Sequence, residues 1–164
     1  MGDVSKKNSL PLVICCLLMA ALFAVSASFQ FNDPDWYFWI PLYATASIVN
    51  LVNSVEEAPN SRTRRMAKFA LLLGLSLFIK VGIEGFVRGI NGFWSLDLRD
   101  RIAREKFGSG LVIISMFLFL ENSSDPTRRL YPTRIAKYGM PILVGVAYGI
   151  SFFFFAFQHN EMRF

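Results

Sequence analysis

Five long runs of apolar residues, separated by short charged segments, constrain the fold of this 164-residue chain more than any other feature. A helix needs roughly 20 apolar residues to cross a hydrocarbon core about 30 Å thick, and a backbone facing lipid must satisfy its own hydrogen bonds. The runs do not alternate as barrel strands do, so they predict an all-α, multipass transmembrane helical bundle forming one membrane domain. The helices are expected at about residues 10–29, 34–54, 66–90, 108–121 and 138–157.

Composition supports lipid as the main partner. Only 18% of the residues are charged, whereas about a quarter is usual for soluble domains. The net charge of +5 comes from short basic clusters between apolar runs rather than from one basic face, which argues against a nucleic-acid partner. The predicted partners are the bilayer and either another protein or a second copy of the chain.

Two runs leave alternatives open. The first could be a cleaved signal peptide, but its apolar stretch is longer than the usual segment of about 7–15 residues, which favours a retained helix. The fourth is short, so it must borrow flanking residues or thin the bilayer locally if it is to span.

The basic clusters also predict an orientation, because cytoplasmic loops carry the excess of Lys and Arg. Such residues occur before the first run, at 62–68 and at 128–137, so these segments should share one side. The N-terminus is therefore expected on the cytoplasm-equivalent side and the C-terminus opposite.

The third loop conflicts with this map because it is also basic. Its charges can pair at i,i+4 spacing, as Asp97 with Arg101 and Asp100 with Arg104, and its apolar residues lie on one side. We therefore predict a short amphipathic interfacial helix at about 96–106. The three tryptophans, Trp36, Trp39 and Trp94, fall near the predicted outer boundary, where amphipathic rings are favoured.

The third run contains the first candidate site. Lys80, Glu84 and Arg88 recur every four residues on one helix face, and charge inside a membrane is costly enough to suggest function. An ion-paired structural role is the alternative. Asn50 belongs to a polar stripe on the second helix, formed by Tyr43, Ser47, Asn50 and Ser54. Such residues usually form hydrogen bonds between helices, although Asn50 could also line a polar path with Lys80 and Glu84.

A second candidate site is acidic and lies on the predicted outer side. Asp33 and Asp35 flank Pro34 at the start of the second helix, and Glu105 precedes the fourth. Helix capping explains the first two, with Asp33 as the N-cap and Pro34 at the first helical position. The alternative is that these carboxylates hold a cation or a basic group of a partner.

Catalytic and metal-binding motifs are not recognised in the sequence. The single histidine, His159, excludes bis-histidine haem binding, and the adjacent Cys15 and Cys16 lack zinc spacing. We therefore expect no cofactor, no metal and no enzymatic activity. Two pairs of glycines, 85 with 89 and 145 with 149, have the GxxxG spacing that allows close helix approach.

Four stretches together resemble the transmembrane protein 220 family: FQFNDPD (29–35), REKFGSGLVII (104–114), NSS followed by Pro126 (122–126) and EMR (161–163). The resemblance implies a small multipass membrane protein and supplies no reaction. It favours the outer side as the place for a site, because the Asn-Asp-Pro-Asp turn and the Arg-Glu pair before the fourth helix both belong to it. The long basic third loop departs from the family pattern.

Three functions follow as hypotheses. The leading one is a non-enzymatic small subunit or assembly factor that works by association in a membrane complex. The second is a small transporter or channel with a polar path through Glu84, Lys80 and Asn50. The third is a membrane enzyme that uses Asp33, Asp35, Glu105 and His159.

Overall fold

A computed structural model describes residues 10–56, 59–87, 101–123 and 134–157 of the chain. These residues form helices and short connections, which confirms the predicted all-α bundle of five helices. A single turn of 3-10 helix, Gln30–Asn32, follows the first helix. The five helices are α1 Leu10–Phe29, α2 Trp36–Val55, α3 Ser61–Val87, α4 Arg101–Ser123 and α5 Arg134–Phe157.

Three of the helices begin before the apolar runs that predicted them. Apolar sequence marks the part of a helix that faces hydrocarbon, whereas backbone hydrogen bonding continues through the charged residues at either end. The clearest case is α4, which runs without interruption from Arg101 through Gly108 to Ser123. Residues 101–106 are thus the first turns of α4, which corrects the separate interfacial helix predicted at about 96–106. Residues 96–100 lie outside the described residues.

Three helical segments in the described part of the chain are long and apolar enough to cross a membrane. They are Leu10–Asn32, Trp36–Val55 and Ser61–Val87. A shorter apolar segment, Tyr138–Phe153, lies within α5. Because its first turns and its end carry charged residues, α4 has only a short apolar centre, as its sequence predicts.

The contacts between helices fix their directions. The Ser47 hydroxyl of α2 donates a hydrogen bond to the Ala20 carbonyl of α1, and the Asn53 amide of α2 donates to the Cys16 sulfur of α1. Because the residue numbers rise on one helix as they fall on the other, these two helices are antiparallel. Leu42 of α2 lies opposite Gly74 of α3, and Asp35, just before α2, lies opposite Lys80, which makes that pair antiparallel as well. Since Tyr43 meets Gly108 and Asn50 meets Ser115, α2 and α4 run parallel, in agreement with alternating crossings.

The five helices form a ring in which α2 and α4 also touch across the middle. The buried apolar residues make one continuous cluster to which all five helices contribute. The side of α3 that faces the bundle consists mainly of small residues at alternating spacings of four and three, which allow close approach. These buried positions are Thr63, Ala67, Ala70, Gly74, Leu77 and Val81.

The alternating directions give the bundle two distinct ends. We call the end containing the start of α2 and the end of α3 the Asp35 end. The other end, where α2 finishes and α3 begins, is called the Arg62 end. Exposed aromatic rings cluster at the Asp35 end, as expected for a membrane–water boundary. They are Phe29, Phe31, Trp36, Tyr37 and Phe38.

Candidate functional site

An ion pair at the Asp35 end joins residues from the two sites that the sequence suggests separately. The Lys80 ammonium of α3 donates to a carboxylate oxygen of Asp35, at the start of α2, over 2.9 Å. The Lys80 side chain is 43% exposed, whereas that of Asp35 is only 14% exposed. Lys80 also lies 5.8 Å from the centre of the Phe38 ring, where a cation is attracted by the aromatic face.

This pair corrects the capping predicted at the start of α2. The helix begins at Trp36 rather than at Pro34, and Asp35 stands at the N-cap position without a side-chain cap hydrogen bond. The Asp33 carbonyl, and not its carboxylate, accepts from the Trp36 backbone N–H. The Asp35 carboxylate instead reaches α3, because a lysine ammonium there offers a charge-assisted hydrogen bond.

Lys80, Glu84 and Arg88, the predicted row of charges on α3, therefore do not form one self-contained cluster. Glu84 is half-buried one turn beyond Lys80 and contributes to the electrostatic field at its ammonium. Lys80 nevertheless makes its ion pair with Asp35. Arg88, the third residue of the row, lies outside the described residues, as does His159.

Glu105 is the most deeply buried acidic residue among those the structure describes, with 5% of its surface exposed. It lies in the second turn of α4, and its charge acts on both Lys80 of α3 and Tyr43 of α2. The Glu105 carboxylate thus interacts electrostatically with Lys80, which is also the partner of Asp35. Buried ionisable groups in membrane helices are costly and face the bundle interior, as this one does.

Tyr43 links this charged region to the core. Its hydroxyl lies against the backbone of α4 at Gly108, leaving no room there for a β-carbon. Its ring stacks against those of Phe23 and Trp39, with centroid distances of 6.3 and 6.0 Å. The glycine is needed because any side chain at this position would collide with the tyrosine.

Trp39 is one of the three tryptophans that fall near the predicted outer boundary, but it is not the amphipathic interfacial ring expected there. It is completely buried, and its indole N–H has no hydrogen-bond partner within the described part of the chain. Trp36 is exposed, as expected for an interfacial ring, and Trp94 lies outside the described residues. The periodicity of α2 places residue 39 on the same face as residue 43, so the ring points into the bundle.

Asn50 belongs to a separate polar contact, about 10 Å along α2 from Tyr43 by the helical rise. Its amide nitrogen donates to the Ser115 hydroxyl over 3.0 Å, and that hydroxyl donates back to the amide oxygen over 3.2 Å. The same nitrogen also donates to the Ala46 carbonyl. Both residues are buried, so this reciprocal pair joins α2 to α4 in the middle of the bundle.

The chemistry available to these residues is recognition by charge and hydrogen bonding. No group of three or more His, Cys, Asp or Glu side chains within the described ranges is arranged to hold a metal ion. Lys80 is paired with Asp35, and the charge of Glu105 also acts on it. The arrangement fastens α2, α3 and α4 together at the Asp35 end.

Two glycines on α5 have open space beside them, unlike five other glycines of the bundle. A β-carbon built at Gly145 or Gly149 meets nothing within 4 Å in the described structure. At Gly74, Gly85, Gly108, Gly110 and Gly139, by contrast, a β-carbon meets a side chain of a neighbouring helix. The predicted GxxxG motif of α5 is thus on the outer surface, whereas Gly85 packs against α4 and Gly89 lies outside the described residues.

Sequence reasoning missed several of the residues that make these contacts. Gly108 and Ser115 lie in an apolar run, where neither charge nor spacing singles them out. The small residues around Gly108 were a usable signal, because they allow another helix to approach closely. Trp39 gave no such signal, since its burial depends on which face of α2 meets the bundle.

Comparison with known proteins identifies the family. The family model described as transmembrane family 220, helix, matches residues 22–121, which include α2, α3 and most of α4. The chain therefore belongs to transmembrane family 220, in agreement with the resemblance found in its sequence. No curated protein and no solved structure matches the chain.

Proposed function

We propose that this member of transmembrane family 220 is a non-enzymatic membrane protein that works by association, with α5 as its docking helix. The observation that carries the proposal is the open GxxxG face formed by Gly145 and Gly149. Without a hydrophobic driving force between helices in lipid, association depends on close packing, which small residues at this spacing permit. The five glycines that meet neighbouring side chains already serve helix packing inside the bundle.

A second copy of the chain is the simplest partner for this face. All copies inserted with one orientation have parallel α5 helices, and a two-fold axis normal to the membrane brings identical faces together. Parallel pairing is also the geometry of GxxxG helix dimers. Around the two glycines, Ile142, Val146 and Phe152 are exposed and supply the flanking apolar surface.

The internal polar groups support a structural role for the other four helices. Asn50 and Ser115 satisfy each other, Ser47 donates to a carbonyl of α1, and Lys80 is paired with Asp35. These bonds hold neighbouring helices together rather than leaving their donors and acceptors for a passing solute. A stable four-helix platform that presents α5 outward suits a subunit or an assembly factor.

Energy transfer between two fluorescently labelled copies in liposomes tests the proposal. Wild-type protein should show transfer that rises with the protein-to-lipid ratio, and the Gly145→Leu/Gly149→Leu double variant should lose most of it. The leucines fill the docking face from positions where a β-carbon meets no other described residue within 4 Å, so the variant should retain its own fold.

The control is Ser76→Leu, which places a leucine at an exposed position near the middle of α3, away from the docking face. Transfer in this control should equal that of the wild type. A wild-type protein that remains monomeric at all ratios, or a glycine double variant with unchanged transfer, would contradict the proposal.

A transporter is the second candidate, and the buried Glu105 favours it. An ionisable residue inside a membrane bundle commonly marks an ion or proton pathway. If Glu84 and Glu105 form part of such a path, Glu84→Gln and Glu105→Gln should each change solute flux, or its pH dependence, in liposomes. Unchanged flux in both variants would rule out the transporter hypothesis, including the polar path through Glu84, Lys80 and Asn50.

A further inference from the structure

The start of α3 carries a basic surface that the association of α5 does not use. It consists of Arg62, Arg64, Arg65 and Lys68, which occupy the first two turns at the Arg62 end. Arg62, Arg65 and Lys68 are exposed, and Arg64 is half-buried. No acidic residue lies in the first turn of α3, although that turn is the positive end of the helix dipole.

The described part of the protein supplies no ion-pair partner for these cations. The Nε atom of Arg64 is buried and has no hydrogen-bond partner in the same part of the structure. A concentration of positive charge at the positive end of a helix is stabilised by an anion.

The position of the basic surface along α3 indicates which kind of molecule carries that anion. The outward face of α3 changes from charged to apolar within about one turn, from Arg62 and Arg65 to Phe69 and Leu72. The apolar residues further along this face, Ile79 and Ile83, are also exposed and contact acyl chains in a bilayer. The cations just before them therefore lie at the level of the phospholipid headgroups of the same leaflet.

We propose that this basic surface binds the headgroups of anionic phospholipids. The phosphodiester and any further acidic group of such a lipid accept from the three exposed cations, and the half-buried Arg64 adds positive charge at the bundle edge. The acyl chains of the same lipid lie along Phe69 and Leu72. A soluble anion offers the charge but makes no use of this adjoining apolar face.

Native mass spectrometry of protein released from nanodiscs tests this site. The nanodiscs contain equal amounts of phosphatidylcholine and phosphatidylserine, and the ratio of the two lipids retained by the protein is measured. Wild-type protein should retain phosphatidylserine preferentially. Arg62→Gln/Arg65→Gln should lower that preference by about fivefold for each arginine removed, the equivalent of about 1 kcal/mol per basic residue.

The matched control is Arg104→Gln/Lys106→Gln, which removes two cations from the opposite end of the bundle and should leave the preference unchanged. Circular dichroism checks that both double variants keep their helices. Equal retention of the two lipids by the wild type, or an equal loss in both variants, would overturn the proposal. Displacement of phosphatidylserine by millimolar inorganic phosphate would also overturn it, since the site would then select a soluble anion.

Discussion

Close contact between single residues determines how α2 and α4 meet. Tyr43 occupies the space beside Gly108, and Asn50 and Ser115 exchange hydrogen bonds two turns further along both helices. The first contact depends on the absence of a side chain and the second on the presence of two polar ones. Together they fix the parallel register of this pair.

Gly108→Ala should destabilise the protein by about 1–3 kcal/mol, the usual cost of overpacking a well-filled interior. The added methyl group collides with the Tyr43 hydroxyl, so either α4 or the aromatic stack must shift. Thermal unfolding in mild detergent measures the change. Gly145→Ala is the control and should cause no loss, because its β-carbon meets open space.

Asn50 and Ser115 should show energetic coupling in a double-mutant cycle. Alanine at either position leaves a buried polar partner unsatisfied, and alanine at both removes the pair, so the losses should not add. The expected coupling is about 0.6–1.7 kcal/mol, as for other hydrogen bonds between membrane helices. Unfolding of the two single variants and the double variant measures it, and additive losses would show that the pair does not form.

The sequence indicates these residues to different degrees. The polar stripe on α2 predicts that Asn50 bonds to another helix, because a polar side chain amid apolar residues needs a partner. Ser115 is not identified as that partner, since the register between two helices depends on the packing of their whole surfaces. The sequence offers Glu105 as a candidate because it precedes the fourth apolar run, but its burial near Tyr43 depends on α4 beginning earlier than that run suggests.

At the scale of elements, α2 contacts α1, α3 and α4, and each contact has its own polar link. Apolar runs reveal that each helix exists, because burial in hydrocarbon requires them. They do not show where α3 and α4 begin, since charged residues extend both helices beyond the apolar part. They also do not predict that Asp35 pairs with Lys80, because residues far apart in sequence meet only after the helices pack.

The Asp35–Lys80 pair should fasten α2 to α3 independently of which helix carries which charge. Asp35→Lys and Lys80→Asp should each destabilise the protein, because each brings like charges together. The double variant should recover only part of the loss, because an acid at position 80 still experiences the charges of Glu84 and Glu105. The effects should be modest, about 1 kcal/mol or less per pair, and weaker at high salt, since Lys80 is partly exposed.

Unfolding at low and high ionic strength measures these differences. Lys68→Asp, which changes an exposed charge at the other end of α3, is the control for a general effect of charge reversal. If the Asp35/Lys80 double variant is as unstable as the two single variants combined, the two side chains do not interact across the helices.

At the scale of the whole molecule, the account depends on alternating crossings of a bilayer. The described contacts make α1, α2, α3 and α4 alternate in direction, and α5 begins beside the end of α4, where Gly139 meets Leu118. The sequence predicts this alternation from its basic clusters, which should keep the Arg62 end on the cytoplasm-equivalent side. That orientation stays a prediction. It also determines which leaflet supplies the anionic lipids for the site proposed at the Arg62 end.

Labelling of single introduced cysteines in sealed membranes by an impermeant thiol reagent tests the alternation most directly. The positions are Asn60 and Phe31, at opposite ends of the bundle, in a background with Cys15→Ala and Cys16→Ala. We expect Phe31→Cys to react only from the outer side, and Asn60→Cys only after the membrane is opened. Reaction of both cysteines from the same side, or release of the protein from membranes by carbonate, would contradict the account.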